Sequence, residues 1–372
     1  MGFKSCKKGP KSVLPLRVQH TTPFDPEKVT ISEMSKVIQR AMAGTDAEWA
    51  AKLAKINKSK AVFKSGVTRS WEWREQQLKQ FVKFLDNEKE TIREAITADL
   101  GRPHLEFTIE WMNMKNAVNF MLKNGKSLMK DEKVSGGMMN MTNSLFRHPE
   151  PLGTVLIMGA WNYPFDLCLN PLVGAIGAGC TAIVKPSEVA KASSKVIFDV
   201  LPKYLNSDAF PVFVEGPEGA TRMLKERYDL IFFTGGTKIG KIVYKAAAEH
   251  LTPCILELGG QNPCWVDEGY DLNLAAKRIL FGKVINSGQI CISPNYLLCT
   301  KATRERLVPE LKKIFKEFYP RRAENFGLLL WKNGHRKALQ KTRWAFRKDK
   351  RQNRPRRQLR REDVLHRANG CR

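Results

Sequence analysis

Residues 151–184 read PLGTVLIMGAWNYPFDLCLNPLVGAIGAGCTAIV, a stretch in which Asp166 is the sole charge. Its length alone would allow a bilayer span. Asn162, Pro164, Asn170 and Pro171 interrupt the middle, however, and glycines punctuate the second half. A spanning segment has to satisfy its backbone internally, which a stretch broken in this way does not do. The stretch divides instead into a strand at 155–159, a loop, a helix at 168–178 and a strand at 181–184. That is the pattern of a buried α/β core.

The same alternation continues toward the C-terminus. Helices are expected at 190–204, 218–226 and 237–250, and short apolar strands at 212–214, 230–233 and 254–258. Strands of this kind joined by crossover helices predict an α/β fold, a doubly wound parallel sheet. A second unit begins near 254, with strands at 263–266 and 296–299 and helices at 271–285 and 303–319. Toward the N-terminus, residues 31–42 look helical, and the lysine-rich 44–60 suits a helical insertion. Leu78, Phe81, Val82 and Leu85 repeat at helical spacing. Residues 87–90 resemble a capping box that restarts a helix with Ile92, Ala95 and Ile96 on one face. A third helix is expected over 106–122, and the charges on these helices read as solvated faces. The resulting division is an extended arm at 1–30, a nucleotide-binding domain with N-terminal helices at 31–253, an incomplete catalytic domain at 254–319 and a disordered basic tail at 320–372.

The chain has 372 residues and a net charge of +26. Residues 320–372 carry 18 Lys and Arg against 4 Asp and Glu, so about half of that charge belongs to the tail. Such a tail attracts anionic surfaces non-specifically. Without an aromatic ladder, zinc pattern or helix-turn-helix, no specific nucleic acid is expected. The eight cysteines show no C-x-x-C pair, which favours reduced thiols and a cytoplasmic setting. The six histidines are scattered, so no metal is expected. The first eight residues come close to a myristoylation pattern, with Cys6 where Ser or Thr belongs; the alternatives are membrane association and a frayed basic terminus.

Several residues stand where chemistry is possible. Cys291 lies between Gly288 and Pro294, directly after a helix. A lone cysteine is ordinarily an inert core residue, but these flanks favour an exposed thiol. Glu257 ends an apolar strand before Gly259 and Gly260; it is either a turn-capping acid or a partly desolvated base. Asn162 follows a strand, as an Asx-turn residue or as an amide donor to a developing oxyanion. Lys185 and Glu188 flank a loop proline, as a surface pair or as ligands of ribose hydroxyls. Thr234-Gly235-Gly236-Thr237-Lys238-Ile239-Gly240 opens a helix, where free N–H groups suit a pyrophosphate. It is neither G-x-G-x-x-G nor a P-loop. Asn162, Lys185, Gly235 and Glu257 all fall at strand ends, where doubly wound sheets bind ligands.

Taken together, Pro151-Leu152-Gly153, Trp161-Asn162-Tyr163-Pro164-Phe165, Lys185-Pro186-Ser187-Glu188, Phe233-Thr234-Gly235-Gly236-Thr237, Leu256-Glu257-Leu258-Gly259-Gly260 and Gly288-Gln289-Ile290-Cys291 resemble the aldehyde dehydrogenase superfamily over residues 31–319. The strongest resemblance is to the class 3, fatty and aromatic aldehyde, branch. It implies oxidation of a small-molecule aldehyde to an acid through a thiohemiacetal and a thioester on Cys291. In that scheme Asn162 is the oxyanion donor and Glu257 the base that activates water. The resemblance also implies that Lys185 and Glu188 hold the adenosine ribose, and that Gly235, Gly236, Ile239 and Gly240 surround the diphosphate with Trp161 nearby. NAD⁺ is favoured over NADP⁺ because Glu188 would repel a 2′-phosphate, although class 3 relatives often accept both.

There are departures from the family pattern. Gln261 replaces a lysine, and Ser293 and Asn295 stand where Ala and Asp are usual. From Pro320 onward nothing matches the family, and the segment reads like an out-of-frame or alternatively spliced ending. On that reading weak stability and poor activity are expected, and a family-type homodimer is doubtful because its C-terminal strand is missing. The competing reading is a catalytically impaired isoform that binds nucleotide or pairs with other subunits.

Overall fold

The computed structural model describes residues 31–140 and 142–319. The expected arm, the lipidation pattern and the basic tail lie outside them. The chain divides into residues 1–54 and 55–372. The first unit contains the start of helix α1 (Ile31–Lys64), with a Lys52–Glu48 ion pair at 2.6 Å one turn apart. The two helical stretches expected at 31–42 and 44–60 are thus a single helix, rich in Ala and Lys and free of Pro.

In the second unit α2 (Trp71–Asn87) starts at Ser70, whose hydroxyl accepts from the Trp73 N–H at 3.2 Å. Its apolar stripe puts Leu78, Phe81, Phe84 and Leu85 in the core. The following helix, α3 (Lys89–Leu100), has Glu88 as N-cap and makes no side-chain cap bond, so the expected capping box does not form. The physical reason is that α2 runs through Asn87 and leaves a single linking residue. α4 (His104–Leu128) then leads into a short antiparallel pair, β1 (Glu132–Val134) and β2 (Leu145–Arg147). That pair is too brief and too charged to show in the sequence pattern.

Next come β3 (Thr154–Met158), α5 (Asp166–Ala178), β4 (Thr181–Lys185), α6 (Lys191–Val200), α7 (Pro217–Met223), β5 (Leu230–Gly235), α8 (Thr237–Ala248) and β6 (Cys254–Leu258). The four strands form one parallel sheet in the order β4-β3-β5-β6. From β3 the chain moves to β4 on one side and returns to β5 on the other. The switch point therefore lies between β3 and β5, with their carboxyl ends facing the same way. Strands β3 and β4 are buried at every position, which explains the apolar runs in their middles. The strand expected at 212–214 is reduced to one parallel bridge, Val184 with Val212. Pro211 has no N–H to extend the ladder, and its carbonyl accepts from the Val184 N–H at 3.0 Å.

A second parallel pair follows: β7 (Asn262–Trp265), α9 (Leu272–Val284), β8 (Pro294–Leu298) and then α10 (Lys301–Phe318). Asp271 caps α9 and Thr300 caps α10, each through its side chain. Two apolar clusters are formed by described residues. One joins α2–α6 to the buried strands and includes Phe81, Phe84, Phe107 and Phe165; burying each of these contributes about 2–3 kcal/mol. The other gathers Val266, Ala276, Leu307 and Ile314. Among the described residues no helix is long and apolar enough to cross a membrane.

Candidate active site

A cavity of about 630 Å³ opens at the carboxyl ends of the four parallel strands. Each strand contributes its last residues or those just after them: Met158 to Asn162 from β3, Lys185, Ser187 and Glu188 from β4, Phe233 to Gly236 from β5, and Glu257 to Gly259 from β6. The turn before β8 closes it with Gly288, Gln289, Ile290 and Cys291. Of the residues expected from the sequence, Cys291, Glu257, Asn162, Lys185, Glu188, Gly235, Gly236, Ile239 and Trp161 all line this space. Gly240 does not. It is a buried residue of α8, where an added Cβ would come within 2.8 Å of Leu258 Cδ2, so its place is in helix–strand packing.

Cys291 is exposed. It sits in a tight turn closed by the Ser293 N–H on the Ile290 carbonyl at 3.2 Å. Asn262, at the start of β7, holds this turn through Nδ2, which donates to the Cys291 carbonyl at 2.6 Å and the Ser293 carbonyl at 2.9 Å. On the other side, Asn162 Nδ2 donates to the Gln289 carbonyl at 2.9 Å. One amide proton of Asn162 is therefore committed, and the other is free to meet an oxyanion.

Glu257 departs from expectation. It is exposed, not desolvated. The reason lies in the topology: β6 ends the strand order with no further described strand beside it, whereas β4 at the other end is bridged to Val212, and the residues of β6 alternate between half-buried and exposed. Lys185, by contrast, is buried, and its Nζ meets Glu188 Oε2 at 3.1 Å and the Pro186 carbonyl at 3.4 Å. That pair leaves the remaining ammonium protons and the second carboxylate oxygen for ligand hydroxyls. Gly236 caps α8 without a side-chain bond, and a Cβ there would meet nothing within 4 Å. The start of this three-turn helix thus has open space beside Gly236, which suits a diphosphate. These residues fit a nicotinamide dinucleotide.

Two sets of residues escaped the sequence reading. Gly216, Pro217 and Ala220 of α7 also line the cavity; a Gly-Pro helix start beyond the end of β4 was the available signal. The second set is Arg102 and Glu110, a fully buried ion pair. Glu110 sits on the stripe of Phe107, Met114 and Val118, so the solvated face expected for α4 charges does not apply to it. An acid at an apolar-stripe position was the legible sign. Glu110 Oε1 accepts from the Phe165 and Asp166 N–H groups, both at 3.0 Å. Burial pushes the Glu110 carboxyl up, and Arg102 pulls it back. Asp166, close by, is pushed up to about 7, first by burial and then by the Glu110 charge. The Arg102 guanidinium also lies 4.0 Å from the Tyr163 ring centre. Burial drives the Tyr163 phenol up to about 12, so it stays neutral.

Comparison with known proteins gives the class. The aldehyde dehydrogenase family model matches residues 27–324. Aldehyde dehydrogenase family 3 member B1 of Rattus norvegicus is 43% identical over 280 residues, covering 74% of this chain and 60% of that protein. The dimeric NADP-preferring aldehyde dehydrogenase of Canis lupus familiaris is 38% identical over 279 residues, covering 74% and 62%. Among solved structures, the substrate-bound AldH of Staphylococcus aureus superposes with a TM-score of 0.70 at 35% identity, covering 73% of this chain and 60% of that one. The chain belongs to the aldehyde dehydrogenase family. It spans about 60% of the length of the curated relatives it matches.

Proposed function

We propose that this chain oxidises an aldehyde to a carboxylic acid with NAD⁺ or NADP⁺, through a covalent adduct on Cys291. One observation carries the reading: a thiol, an amide and a carboxylate from three distant parts of the chain line one cavity at the switch point. The Cys291 thiolate adds to the aldehyde carbon. The free proton of Asn162 Nδ2 and the Cys291 N–H hold the resulting oxyanion, a donor of this kind contributing about 3 kcal/mol in the transition state. The nicotinamide dinucleotide supplies the hydride acceptor. Lys185 and Glu188 hold its adenosine ribose, and the α8 N-terminus with Gly235 and Gly236 holds its diphosphate. Glu257 takes the proton from the water that releases the acid from the Cys291 thioester. In this reading residues 31–253 bind the nucleotide, and 254–319 carry the nucleophile.

The test is NADH formation from hexanal by the purified chain and by Cys291→Ala. Wild-type turnover that the variant lacks is expected. Turnover that survives in the variant overturns the reading, as does an absence of turnover in both.

A further inference from the structure

Asn286 lies five residues before Cys291 and is 3% exposed. Its backbone is left-handed (φ 47°, ψ 34°), and so are those of Ser287 (φ 56°) and Gly288 (φ 74°). Glycine adopts that region freely, while Asn and Ser do so at a cost. A conformation of this kind persists where its surroundings over-determine it.

The surroundings here are complete. The Asn286 N–H donates to Glu106 Oε2 at 2.8 Å. Its Oδ1 accepts from Arg102 Nε at 2.8 Å. Its Nδ2 donates to the Asn162 carbonyl at 2.9 Å and reaches the Gln289 carbonyl at 3.2 Å. Its own carbonyl accepts from the Gln289 N–H and from Gln289 Nε2, each at 3.0 Å. Arg102 is itself fixed by buried Glu110 and also donates to the Asn162 carbonyl. Glu110 in turn holds the Phe165 and Asp166 N–H groups. The loop that carries Asn162 and the turn that carries Cys291 are thereby tied at one side chain.

We propose that Asn286 is a positioning residue. Held by the buried Arg102–Glu110 pair, it fixes the distance between the Asn162 amide and the Cys291 N–H, and so sets the geometry of the oxyanion site. The inference rests on the function proposed above. Its physical basis is that polarised donors act only when held to within a fraction of an ångström. Asn286 does not line the cavity. Its effect runs through the Gln289 carbonyl, which receives both the Asn286 and the Asn162 amides.

The test compares two reactions of the same thiol in the full-length chain. Alkylation by iodoacetamide needs an exposed thiolate and no oxyanion donor. Acylation by p-nitrophenyl acetate needs both. Asn286→Gly keeps a backbone that accepts positive φ and deletes every side-chain bond. Its acylation rate should fall on the order of 10² while alkylation stays at the wild-type rate. NADH binding, read by fluorescence, should also be unchanged, since its ligands lie elsewhere in the cavity. Arg102→Lys is the second variant. It keeps a cation for Glu110 but loses the planar fork, and it should show the same split at roughly tenfold. Equal acylation in wild type and both variants overturns the inference, as does a parallel fall of alkylation and acylation. Acylation of wild type that does not depend on Cys291 overturns the functional reading and this inference together. Cys291-dependent acylation that ignores Asn286 overturns the inference alone.

Discussion

Asn162 donates its side-chain amide to the carbonyl oxygen of Gln289 at 2.9 Å, across 127 positions of sequence. This bond joins the loop after the first buried strand to the turn that carries the exposed cysteine. It leaves one amide proton pointing free, and on that proton the proposed chemistry depends. Asn162→Ala removes both the proposed oxyanion donor and the tie to the turn. Its kcat for aldehyde oxidation should fall by about 10²–10³, the loss seen when one such donor is removed. NAD⁺ affinity should hold, because the Lys185–Glu188 pair is untouched. Steady-state kinetics with a separate binding titration check both parts. A variant that weakens binding and spares kcat would place Asn162 in the wrong role.

The Lys185–Glu188 pair is the next lever. Lys185 is buried and Glu188 only half so, with 3.1 Å between them. If the pair holds the adenosine ribose as proposed, a carboxylate there repels a 2′-phosphate. Glu188→Gln keeps the shape and removes the charge. The KM for NADP⁺ should fall relative to that for NAD⁺ by about tenfold, the effect of roughly 1.4 kcal/mol of relieved repulsion. If the ratio of the two KM values does not move, the adenosine ribose lies away from this pair.

Gly288 is the third. Its φ is 74°, and an added Cβ would lie 2.9 Å from the Lys283 carbonyl oxygen, an atom of the backbone. Gly288→Ala thus meets two obstacles at once. The left-handed conformation costs about 1–2 kcal/mol in a residue with a Cβ, and the close approach forces the end of α9 or the turn to move. The expected result is a lower melting temperature together with slower acylation of Cys291. Unchanged values in differential scanning calorimetry and in the acylation assay would mean that the turn relaxes freely.

The sheet was legible in the sequence because β3 and β4 carry apolar runs at 155–158 and 182–184 and their crossovers are helical. The exposed cysteine was legible too, because glycine and proline bracket it. The environment of Glu257 was not. Its strand looks buried by composition, yet it ends the strand order, and periodicity does not reveal which strand that will be. Residues 212–214 mislead for a related reason: three apolar residues suggest a strand, but Pro211 removes a donor and one bridge is all that forms. Arg102, Glu110 and Asn286 were hidden more deeply. Arg102 and Asn286 are 184 positions apart and meet only in three dimensions. Only Glu110 left a trace, as a charge where the helix period calls for an apolar side chain.

Asp166 offers a test by pH. It is the single charge of the apolar stretch that fixes the fold, and it stands beside buried Glu110. Its carboxyl is pushed up to about 7, first by burial and then by the Glu110 charge. An unfolded aspartate titrates near ~3.9, so between these values the folded chain holds a proton that the unfolded chain has released. The group's contribution to stability is then fully present below about pH 4 and is lost as the pH rises through about 7. Asp166→Asn keeps the size of the side chain and cannot ionise. Relative to wild type, its melting temperature should climb between about pH 4 and 7 and level off above that range. A constant difference across the whole interval would mean that Asp166 titrates as an ordinary surface acid and that the Glu110 charge does not reach it.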